Sequence, residues 1–81
     1  MSAHVEVLYF ASLRDAAGIA SEQVVTAATD LSALYAELQV RHGLAFPQAR
    51  LRVAVDGAFA SWSDAPRDGT TVAFIPPVSG G

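Results

Sequence analysis

No cysteine occurs in the 81 residues. That excludes a disulfide framework, thiolate metal sites, an iron–sulfur cluster and a cysteine nucleophile. Lysine is missing too, so no side-chain amine is available for isopeptide or Schiff-base chemistry. The five cations are Arg14, Arg41, Arg50, Arg52 and Arg67, scattered along a chain of net charge −3. Counterion release needs clustered cations, so no nucleic-acid partner is expected. His4 and His42 are the two histidines, and neither has Cys, His or acidic neighbours at ligand spacing. No metal site is expected. There is no Gly-x-Ser-x-Gly elbow and no P-loop, so neither a serine nucleophile nor bound ATP is read here. Uncharged stretches fall well short of a membrane span. Met1 to Glu6 has neither a basic region nor an apolar one that would mark it for export, and a cytoplasmic protein is expected.

What the chain does have is 52% apolar and 16% charged residues, a composition that folds. Its length allows one core. Val5-Glu6-Val7-Leu8-Tyr9-Phe10 reads as a strand that is apolar on both faces, as a central strand is. Ala11 to Ala17 is a short helix or turn closed by Gly18, and Ser21 to Ala27 a second strand. Asp30 stands at a helix start, and Leu31, Leu34, Tyr35 and Leu38 fall at i, i+3, i+4 and i+7 behind it. Arg41 and His42 suit the negative end of that helix, and Gly43 suits its left-handed terminus. Leu51 to Val55 alternates as a third strand, Asp56-Gly57 is a hairpin turn, and Ala58 to Ala60 returns. Thr71 to Ile75 is the last strand.

One helix covers one face of such a sheet. Val5, Val7, Tyr9, Val72 and Phe74 are expected under Leu31, Leu34 and Leu38. The opposite parity leaves Leu8, Phe10 and Ile75, with Phe59 nearby, on an uncovered apolar face. Phe10, Phe59 and Ile75 are therefore candidates for a partner interface. The loops Leu44–Pro47 and Ser61–Pro66 are the alternative cover, and Trp62 reads equally as interface anchor or core lid.

The last strand runs into Pro76-Pro77-Val78-Ser79-Gly80-Gly81. Glycine lacks a Cβ and threads channels closed to other residues. The two prolines stiffen the root of the tail and limit the entropy lost on insertion. Six residues, Pro76 to Gly81, reach roughly 20 Å when extended. The pattern divides the chain into a domain, 1–75, and a flexible tail, 76–81, whose terminal carboxylate is the candidate reactive group.

Phe10-Ala11-Ser12-Leu13-Arg14-Asp15-Ala16-Ala17-Gly18, Val53-Ala54-Val55-Asp56 and the ending Val72 to Gly81 together resemble the MoaD family, the sulfur-carrying small subunits of molybdopterin synthase. These belong to a wider ThiS/MoaD-type ubiquitin-like group. The chain departs from the pattern at Asp56 (commonly Asn), at Pro66 (usually Leu) and at Thr70-Thr71 (frequently acidic). The resemblance implies an α+β, ubiquitin-like β-grasp fold, a mixed sheet with one main helix packed on one face. It also implies that an E1-like adenylyltransferase activates Gly81 with ATP and that a sulfur donor protein converts it to a thiocarboxylate. The tail, Pro76, Pro77, Val78, Ser79 and Gly80, then enters the synthase large subunit within a heterotetramer. No cofactor is expected on this chain, nor catalytic side chains of its own. Sulfur carriers for thiamine or cysteine biosynthesis, and ubiquitin-like protein modifiers, also end in Gly-Gly and are the alternative readings. A binding module with an inert tail is a third.

Overall fold

The computed structural model describes residues 2–77. Its elements are β1 (Ala3–Tyr9), α1 (Ala11–Ala17), β2 (Ser21–Thr26), α2 (Leu31–His42), a 3-10 turn (Gln48–Arg50), β3 (Arg52–Val55), β4 (Ala58–Phe59) and β5 (Thr71–Ile75). They form one sheet in the order β2-β1-β5-β3-β4. The central pair β1 and β5 is parallel, with Val7 opposite Val72 and Tyr9 opposite Phe74. The other pairs are antiparallel. A parallel pair needs a crossover. Here everything between β1 and β5 supplies it, and α2 lies across one face. This is the mixed β-grasp sheet with one main helix, α2, on one face that the resemblance implies, with the short α1 beside it.

The sequence dictates α2 locally. The Asp30 side chain accepts the Ala33 N–H at 2.7 Å, and Gly43 closes the helix in the left-handed region at φ 65°. Leu31, Leu34, Tyr35 and Leu38 are all fully buried. Beneath them lie Val5, Val7, Tyr9, Val72 and Phe74, as the strand parity requires. The Tyr35 hydroxyl donates to the Phe46 carbonyl at 2.7 Å, so its burial leaves no polar atom stranded.

β1 begins two residues before the expected start, because Ala3 and His4 pair with Thr26 and Val25. It also stops one residue sooner. Phe10 keeps extended angles but becomes the N-cap of α1, and Ala11 follows at φ 51°. Asp56 and Gly57 both have positive φ, 50° and 84°, the geometry of a tight hairpin turn between β3 and β4. Asp56 fits that position because its carboxylate accepts the Thr71 N–H at 2.9 Å, which ties the turn to β5.

The loop at Ser61–Pro66 does not cross the outer face. Its Trp62 and Asp64 carbonyls accept the N–H groups of Ser32 and Leu31 at the start of α2. Trp62 lies parallel to Phe74 with centroids 5.8 Å apart and packs at a tilt against Tyr35. Trp62 is thus a lid on the core. No helix among the described residues is long and apolar enough to cross a membrane.

Candidate functional site

β5 sits between β1 and β3, so the chain leaves the sheet from its middle. At the exit Pro76 is buried and Pro77 exposed. The rigid body therefore holds the chain through Pro76. Val78, Ser79, Gly80 and Gly81, the expected reactive end, lie outside the described residues.

The surface around that exit is apolar. Phe10 is 44% exposed and Phe59 71% exposed, while Ile75 is half-buried. The fold gathers these three, far apart in sequence, into one shallow depression with Leu8, Ala54 and Ala73. Strand alternation is the cause, since these side chains share the face of the sheet opposite α2. A larger cleft of about 870 Å³ opens beside the tail root between Phe10, Phe46, Ile75 and Pro76, with Arg50 at its lip. A second cleft, about 620 Å³, runs along the other side, where Arg52, Phe59 and Trp62 meet Pro76 and Pro77. The Arg52 guanidinium lies 5.5 Å from the centre of the Phe59 ring, within cation–π range.

Below the exit, on the helix side, Glu22 joins three elements. It accepts the Tyr9 hydroxyl at 2.5 Å, bonds His42 Nε2 at 2.6 Å and lies 3.5 Å from Arg41. Burial pushes the Glu22 carboxyl up, but hydrogen bonds from Tyr9 and His42, with the charges of His42 and Arg41, outweigh it. The net effect holds the group below the ordinary carboxylate range. Burial first, then the same hydrogen bond and the Glu22 charge, push the Tyr9 phenol well above its usual value. His42 therefore does more than end a helix; it clamps α2 to β2 through Glu22 and meets Tyr9 edge-on at 5.7 Å. Tyr9, Glu22, Arg41 and His42 line neither cleft beside Pro76, and their bonds tie β1, β2 and α2 together. Among the described residues no group of three His, Cys, Asp or Glu side chains could hold a metal ion.

Sequence reasoning missed Arg50, Arg52 and Phe46 at this site. The arginines are scattered in sequence, and only the pairing of Arg52 with Ile75 across β3 and β5 places one of them at the tail root.

The ThiS family profile matches residues 7–81. The molybdopterin synthase sulfur carrier subunit of Escherichia coli (strain K12) is 32% identical over 80 residues, covering 95% of this chain and 99% of the relative. A solved complex of subunits 1 and 2 of molybdopterin-converting factor from Helicobacter pylori 26695 contains a chain that is 28% identical. Coverage is 100% of both chains and the TM-score 0.63. Small archaeal modifier protein 1 of H. volcanii is 26% identical over 94% of this chain and 99% of its own, with a TM-score of 0.77. The mixed sheet with its central exit strand and the full-length match agree: the chain belongs to the ThiS family.

Proposed function

We propose that this protein is a sulfur carrier and the small subunit of a molybdopterin synthase, working through the carboxylate of Gly81. The observation that carries the reading is the 32% identity to a molybdopterin synthase sulfur carrier subunit along 95% of the chain. The exit of β5 from the centre of an apolar sheet face supports it, because a partner docked on Phe10, Phe59 and Ile75 stands over the tail.

The chemistry follows from the carboxylate. Ionised at neutral pH, it repels nucleophiles and needs activation. In the proposed sequence an E1-like adenylyltransferase lets it attack the α-phosphate of ATP. Pyrophosphate leaves and an acyl adenylate forms. A sulfide equivalent from the donor protein attacks the acyl carbon, AMP departs, and the thiocarboxylate remains. That sulfur is the nucleophile delivered to the precursor pterin in the large subunit, which supplies the catalytic side chains. ATP is used by the activating partner, and this chain holds no cofactor. The steps take place in the cytoplasm. Gly80 and Gly81 form the narrow end of the tail, with Val78, Ser79 and Pro77 behind them, while Pro76 anchors it.

Intact-mass analysis of the protein from its own cells tests the reading. The expected result is a fraction heavier by one oxygen-to-sulfur exchange, localised to Gly81. A covalent ladder of conjugates in denaturant, with no such exchange, would instead identify a protein modifier.

A further inference from the structure

The net charge of −3 conceals two arginines gathered at the tail root. Arg52 pairs with Ile75 across β3 and β5, and Arg50, two residues before it, lines both clefts beside Pro76 and Pro77. A partner over the tail therefore meets two guanidinium groups set in an apolar surface. The screening length at physiological salt is about 8 Å, so these charges act on a partner at close range. Arg50 and Arg52 make no ion pair among the described residues. Both flank Pro76-Pro77, one at the lip of the cleft between Phe10 and Phe46 and the other over Phe59.

The geometry points to Arg50 and Arg52 as specificity-determining residues, which dock the tail end onto a protein surface that presents carboxylates around an apolar patch. This rests on the sulfur-carrier reading above and names the chemistry of the partner's rim. Charge at a rim acts mainly on encounter and orientation, and the apolar patch holds the complex once it forms.

The test measures association and dissociation rates with the synthase large subunit of the same organism, at low and physiological salt. It compares the full-length chain with its Arg50→Glu/Arg52→Glu variant and with Arg67→Glu, a reversal outside both clefts. We expect the double reversal to slow association on the order of tenfold at low salt, with a smaller change in dissociation. Raising the salt should slow the unaltered chain but not the variant, and Arg67→Glu should stay within about twofold of it. A loss of less than about threefold, while the unaltered chain binds, would overturn the inference and leave the sulfur-carrier reading intact. Failure of the unaltered chain to bind at all would remove that reading, and this inference with it. Should the reversal variant not fold, Arg50→Ala/Arg52→Ala is read against the same threshold.

Discussion

Replacing Glu22 by glutamine removes one charge from the place where β1, β2 and α2 meet. The side chain is 17% exposed, and its carboxylate serves Tyr9 and His42 at 2.5 and 2.6 Å, with Arg41 at 3.5 Å. Hydrogen bonds to a charged group contribute about 1.5–3 kcal/mol each, and neutral ones about 0.5–1.5. Glutamine retains one acceptor oxygen, so one bond is weakened and the other is lost or reversed. The loss is about 2 kcal/mol after the lower desolvation cost of the amide is set against it. For a domain of this size that lowers Tm by roughly 8–16 °C, since 1 kcal/mol is worth about 4–8 °C. The sign of the pH dependence follows from the depressed carboxyl. Its contribution is complete above the unfolded-state value of about 4.3 and is lost as pH falls through the lower folded value. Thermal melts at pH 7 and at steps down to pH 3, followed by circular dichroism, should therefore show the two proteins converging in acid. A variant as stable as the original at pH 7, or a gap that does not narrow below pH 4, would refute this account.

Trp62→Ala should cost about 2 kcal/mol in urea unfolding, because the ring is half-buried against Phe74 and Tyr35. Phe59→Ala, at a ring 71% exposed, should change stability by less than about 0.5 kcal/mol yet weaken large-subunit binding in calorimetry. Asp56→Ala loses the bond to the Thr71 N–H and places alanine at φ 50°, a loss of about 1–2 kcal/mol in the same unfolding assay, whereas Asp56→Asn should be close to neutral. The Tyr9 phenol is held protonated, so its contribution is full below the unfolded value of about 10 and falls as pH rises beyond it. Absorbance titration should find this tyrosine ionising only as the protein unfolds.

The elements that local chemistry determines could be read from the chain. Asp30, the stripe from Leu31 to Leu38, and Gly43 define α2 without help from the rest of the molecule. Strand parity placed Val5, Val7, Val72 and Phe74 inward and Phe10, Phe59 and Ile75 outward. What depended on register or long-range contact was not legible. Sequence leaves Trp62 free to face either way, and the bonds from its loop to the start of α2 turn it onto the core. His42 is twenty residues from Glu22, and no periodicity links a helix end to an edge strand. Arg50 and Arg52 join the tail root only because β3 runs antiparallel to β5. Pro76 is buried between the residues of the two clefts at the tail root, a contact set by loops distant in sequence.

The most direct measurement compares the complete chain with one ending at Gly80 in a reconstituted reaction containing the adenylyltransferase, ATP, a sulfide source and the large subunit. The shortened protein should fold and still bind the large subunit, but it should yield no thiocarboxylate and no dithiolene product. Product formed at the unaltered rate by that protein would contradict the claim that the final carboxyl group carries the sulfur.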